Sequence, residues 1–115
     1  MAGRLMENGR KEVRMLFCVS MVPVGAGNSL ASPVAQVIDE FDRAGLAFEV
    51  NGMNTVIEGE WEEVMPVIRA AERRIRLDHD RVLVTITVDD RQGAHDRMHG
   101  AIEDVERELG HTVPH

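Results

Sequence analysis

The chain has no tyrosine, one tryptophan, three phenylalanines and one cysteine among its 115 residues. With aromatics at 3%, the core has to be assembled from Val, Ile, Leu, Met and Ala. A single cysteine, Cys18, excludes an internal disulfide and suits a reducing compartment. Set in an apolar run, it reads as a structural thiol. Basic residues are also scarce: 13 Lys+Arg against 20 Asp+Glu give a formal net charge of −7. That balance argues against nucleic acid, whose phosphates need a basic stripe, and against an anionic membrane surface. No apolar run approaches the roughly 18 residues of a membrane span. Residues 1–14 mix charge with glycine and lack the apolar segment of a secretory signal. These absences together point to a cytoplasmic protein.

What remains is composed like an ordinary globular chain, 43% hydrophobic and 29% charged. The length allows one domain with one core. Residues 1–12 are polar and read as a flexible extension, 13–110 as the domain, and 111–115 as a tail.

The periodicities set the element order. Met15 to Val22 is rich in β-formers and is closed by Pro23. Ser32-Pro33 reads as an N-cap with proline at the first helical position, and Val34, Val37, Ile38 and Phe41 follow at helical spacing to Gly45. Residues 46–58 read as two short strands around an Asn51-Gly52 turn. Trp61, Val64, Ile68, Ala71 and Ile75 form the stripe of a second helix, with Pro66 expected to kink it. Arg81 to Val88 alternates: Val82, Val84, Ile86 and Val88 take one face, Leu83, Thr85 and Thr87 the other. A last helix from about Asp96 to Leu109 carries Met98, Ile102, Val105 and Leu109 as its inward face, with Gly110 as its stop.

The order β-α-β-β-α-β plus one helix is that of an α+β ferredoxin-like sandwich with an antiparallel four-stranded sheet. Two helices cover one face only. Phe17, Val19, Met21, Phe48, Val50 and Ile57 are expected inward. The opposite face receives Cys18, Ser20, Val22, Ala47, Glu49, Asn54, Val56, Leu83, Thr85 and Thr87. Small apolar residues mixed with hydroxyls make a poor solvent face. They imply a second subunit, a flat ligand, or cover from the last helix.

Three runs carry a resemblance: Ser20-Met21-Val22-Pro23-Val24-Gly25, the stretch from Thr55 to Val64 (TVIEGEWEEV), and Thr85-Ile86-Thr87-Val88-Asp89-Asp90-Arg91. Together they resemble the small thiamine-binding protein family, over roughly residues 15–110. The resemblance implies a ferredoxin-like fold and non-catalytic binding of thiamine or its hydroxymethylpyrimidine part. It also implies homodimers or homotetramers packed through the open sheet faces. An aminopyrimidine needs paired donors and acceptors, which Ser, Thr and Asn supply. A thiazolium cation favours a carboxylate or an aromatic face. Ser20, Asn51, Thr85 and Thr87 are therefore candidates for the ring and Glu49 for the cation. Thr55, within the motif, is a further polar candidate.

Other constellations carry less. His95 and His99, with Glu103, could share a helical face as a metal site, but the reading adopted has no metal and no cofactor. The Val24-Gly25-Ala26-Gly27 loop lacks the residues of a phosphate loop. Asp89-Asp90 could serve an acid–base step on a small enzyme, though a turn role suits it better. A pure assembly module, whose open faces only join subunits, is the alternative to a binder.

Overall fold

The computed structural model describes residues 14–94 and 96–115; the expected 1–12 extension and His95 lie outside them. Seven elements follow in the order β1 (Met15–Pro23), α1 (Ala31–Arg43), β2 (Ala47–Val50), β3 (Thr55–Gly59), α2 (Trp61–Arg76), β4 (Val82–Asp89) and α3 (Arg97–Leu109). The sheet order is β2-β3-β1-β4 with every neighbour antiparallel, the ferredoxin-like arrangement.

Alternation along β1 puts Phe17, Val19, Met21 and Pro23 against the helices, all buried. Ile57 of β3 joins them, as do Val37 and Phe41 of α1 and Val64, Ile68, Ala71 and Ile75 of α2. The faces of β4 are those its alternation implies: Val82, Val84, Ile86 and Val88 are half-buried, and the residues between them are exposed. The helix spacings of α1 and α2 hold as well, with small shifts at the ends. α1 begins at Ala31, because the Leu30 carbonyl accepts the Val34 N–H at 2.9 Å, so Ser32 and Pro33 sit inside the first turn. It ends in a left-handed Gly45: the Gly45 N–H reaches the Asp42 carbonyl and the Leu46 N–H the Phe41 carbonyl. α2 starts after Glu60, whose N–H donates to the Glu63 carboxylate at 3.0 Å, and runs on through Pro66 as one helix. Gly59 sits where a Cβ would meet Val64 Cγ2 at 2.8 Å, so the β3–α2 junction excludes any larger residue.

The hairpin differs from its expected register. Val50 faces Thr55, so the central pair is Gly52-Met53 rather than Asn51-Gly52. The Asn51 N–H donates to the Asn54 carbonyl at 2.8 Å, and their side chains meet at 3.1 Å across the turn. Gly52 does not take the positive φ that an Asn-Gly turn exploits. The faces are preserved, because the register moves by an even step.

α3 lies on the open face but covers only part of it. Its start is pinned: the Arg97 N–H donates to the buried Glu58 carboxylate at 2.8 Å, and His99 Nε2 meets Glu49 Oε2 at 3.2 Å. Met98 is buried, yet Val105 and Leu109 are each 51% exposed, so the inward stripe expected for this helix is buried only near its beginning. The tail folds back, with the Val113 N–H donating to Glu106 at 2.8 Å.

On the helix side, Arg74 of α2 bridges Asp39 at 2.7 Å and Glu40 at 2.9 Å on α1. The hydrogen bond from Arg74 holds the Asp39 carboxyl below its ordinary value. A carboxyl depressed on folding stabilises above its unfolded pKa, about 3.9. The contribution is lost as pH falls through the lower folded value. Denaturation midpoints measured from pH 7 to pH 2 should therefore fall more steeply for the native chain than for Arg74→Met. Parallel curves would show that the bridge contributes nothing to acid stability.

Candidate functional site

The sheet opens a cleft at one end because two ladders on β1 have different lengths. Against β4, β1 stays paired as far as Pro23 opposite Val82. Against β3 the pairing stops at Val19 opposite Thr55, where the hairpin turns away. The resulting cleft has a volume of about 330 Å³, at the small end for ligand pockets. Leu30, Val34 and Val37 of the α1 side form one wall, and the Asn51–Asn54 turn forms the other.

Three of the six residues singled out from sequence border this cleft: Ser20, Asn51 and Thr55. Thr55 is 6% exposed. Its hydroxyl has no hydrogen-bond partner among the described residues and is not sealed in the interior either. A hydroxyl left without a partner at this depth is a cost unless something in the cleft meets it. Asn51 is held by Asn54.

The main chain adds a feature that side-chain patterns do not show. The Val24 N–H donates to the Arg81 carbonyl at 2.8 Å. Main-chain groups of successive residues in a strand point to opposite sides, so Val22 and Ser20 address β4 while Met21 addresses the other side. Beyond Val19 no strand of the described residues stands there. The N–H and C=O of Met21 therefore face the cleft.

Glu49, Thr85 and Thr87 are not at this cleft. All three lie on the open face: Thr85 and Thr87 are exposed on β4, and Glu49 is paired with His99. Cys18 is half-buried on that same face. His99 and Glu103 form no metal cluster, since no group of three metal-binding side chains occurs among the described residues. Among these residues no helix is long and apolar enough to cross a membrane. A larger groove of about 730 Å³ runs between α2 and β4, its mostly apolar floor formed by Trp61, Met65, Val84 and Ile86, with Glu62, Arg69 and Glu72 also lining it. The Trp61 ring sits 6.1 Å from Phe17, so this groove reads as incomplete cover of the core.

The ferredoxin-like domain thus carries a small, partly polar cleft at the end of β1. The chain belongs to the thiamine-binding protein family, which it matches over residues 17–106. UPF0045 protein Mb1933 of Mycobacterium bovis is 35% identical over 96 residues, 83% of this chain and 94% of that protein. UPF0045 protein MJ1052 of Methanocaldococcus jannaschii is 34% identical over 74 residues, 64% of this chain and 74% of that protein. The MJ1052 crystal structure shares the fold with a TM-score of 0.71 at 28% identity, covering 86% of this chain and 98% of that one. A Thermotoga maritima structure, TM0486, described as a candidate thiamine biosynthesis/salvage protein, shares it with a TM-score of 0.67 at 21% identity, covering 76% and 96%. Family membership associates the chain with thiamine.

Proposed function

We propose that the chain binds thiamine or its hydroxymethylpyrimidine moiety in the cleft beside β1, without transforming it, as a cytoplasmic homo-oligomer. The observation that carries this reading is Thr55, a buried residue that borders the cleft and whose hydroxyl has no hydrogen-bond partner among the described residues. The Met21 main chain adds a donor and an acceptor at the same cleft, which Ser20 borders from the open-face side. Among the described residues no ionisable side chain lines the cleft, so none of them is placed to perform an acid–base step there. Glu49, Thr85 and Thr87, the other sequence candidates, serve the open face in this reading.

Titration calorimetry with thiamine and with hydroxymethylpyrimidine tests the proposal. Saturable binding with one site per chain is the expected outcome. No heat from either compound, or from the thiamine phosphates, would overturn it.

Assembly rests on the uncovered sheet. Leu83 is 56% exposed on β4, the edge strand of that face, and Val105 and Leu109 are each 51% exposed along α3. A second copy seated there would bury both. Leu83→Arg is expected to shift the native oligomer to a smaller species in sedimentation velocity. A native chain that sediments as a monomer would contradict the assembly.

A further inference from the structure

The two edges of the sheet are unlike. β2, at one edge, has four residues and carries Glu49. β4, at the other, has eight, and from Val82 to Val88 it holds no charge and no proline. Its ladder with β1 runs without a bulge from Asp89 to Val82. Natural sheets blunt an open edge with short strands, charges, prolines or bulges. β4 uses none of these devices, which is the pattern of a strand with a neighbour. We infer that β4 joins β4 of a second copy of this chain, antiparallel about a two-fold axis at Thr85, in one continuous sheet. This surface is separate from the ligand cleft and from the open face.

Main-chain direction sets the register. The Val24 N–H bond to the Arg81 carbonyl means that Arg81 addresses β1, and Leu83, Thr85, Thr87 and Asp89 follow at every second step. The N–H and C=O groups of Val82, Val84, Ile86 and Val88 therefore point outward, where no strand of the described residues meets them. An axis at Thr85 sets Val82 opposite the partner's Val88 and Val84 opposite the partner's Ile86. Each such pair exchanges two hydrogen bonds, and all four outward residues are used. Neighbouring registers that keep the faces aligned are worse. An axis at Ile86 brings Asp90 opposite Val82, and one at Val84 brings Asp80 opposite Val88.

The same pairing completes the core. Val82, Val84, Ile86 and Val88 face the helices yet stay half-buried, whereas Val19 and Met21, one strand further in, are 3% and 6% exposed. The groove of about 730 Å³ beside α2 is the space left open over β4. The two-fold partner lays its own α2 along the far side of that groove, antiparallel to the first. The first turn of α2 carries Glu62 and Glu63, and its later turns carry Arg69, Arg73 and Arg76. Antiparallel helices set the acidic turn of one against the basic turns of the other.

The test uses Leu83→Arg, which removes the open-face contact and leaves the β4 main chain intact. This variant is expected to sediment as a dimer. The amides of Val82, Val84, Ile86 and Val88 should exchange with solvent about tenfold more slowly, or slower still, than those of the exposed Gly52-Met53 turn. Thr85→Cys in a Cys18→Ser background should form an intersubunit disulfide on mild oxidation. An antiparallel pair without mutual hydrogen bonds holds its Cα atoms about 4.5 Å apart, within disulfide range. Thr87→Cys in the same background, displaced from the axis, should stay reduced. A monomeric Leu83→Arg chain would overturn the inference, as would a dimer whose outer β4 amides exchange as freely as the turn. Linkage through Thr87→Cys in place of Thr85→Cys would overturn it as well.

Discussion

Phe17→Ala is expected to lower the free energy of unfolding by about 3–5 kcal/mol, the range for emptying an aromatic site in a packed core. Phe17 is 0% exposed on β1, which has a strand on each side and helices above it. Its ring lies between Ile57 on β3 and Val88 on β4, its register partners, and packs against Trp61. Domains of this size hold about 5–15 kcal/mol in total, so the variant should unfold at a much lower urea midpoint with an unchanged slope. A loss under about 1 kcal/mol would mean that the core is not centred on β1 as described.

Thr55→Val should have the largest effect on binding of any conservative change. Valine keeps the β-branched shape that β3 accepts and removes only the hydroxyl. That hydroxyl has no hydrogen-bond partner among the described residues, so the variant should be as stable as the native chain or slightly more so. Ligand affinity should fall about tenfold, the order of one lost hydrogen bond of about 1.4 kcal/mol. Stability and affinity moving in opposite directions distinguishes a binding group from a structural one. Unchanged affinity for thiamine and for hydroxymethylpyrimidine would remove Thr55 from the site.

The fold was largely legible because its signals are local. The strict alternation of Val82, Val84, Ile86 and Val88 against Leu83, Thr85 and Thr87 settles which face of β4 is covered. The spacing of Val64, Ile68, Ala71 and Ile75 does the same for α2. The hairpin register was not legible, because Asn51-Gly52 is a strong turn signal in isolation, whereas the Asn51 and Asn54 side chains bond across a turn centred one residue later. Nor was the fate of α3. Its apolar stripe says that Val105 and Leu109 favour burial without saying against what, and the chain's own sheet meets only the start of the helix.

The site was half legible for a similar reason. Hydroxyls on alternate positions mark a face, so Thr85 and Thr87 were grouped with Ser20 on the open side, where they do lie. What assembles the cleft is the point where the β1–β3 ladder ends, and that depends on the hairpin register. Once Val50 pairs with Thr55, the edge beyond Val19 is bare and Asn51, Thr55 and Ser20 surround it. The Met21 main chain leaves no trace in a side-chain pattern at all. A proline one step beyond, at Pro23, is the nearest thing to a signal, because it marks a strand whose far edge has no need of an N–H.

Amide chemical-shift mapping on the isotopically labelled native chain, titrated with hydroxymethylpyrimidine, reaches the claim most directly. The account predicts saturable shifts that are largest at the amides of Met21, Asn51 and Thr55, with Thr85 and Thr87 little moved. Shifts centred on Thr85 and Thr87, or none at saturating concentration, would contradict it.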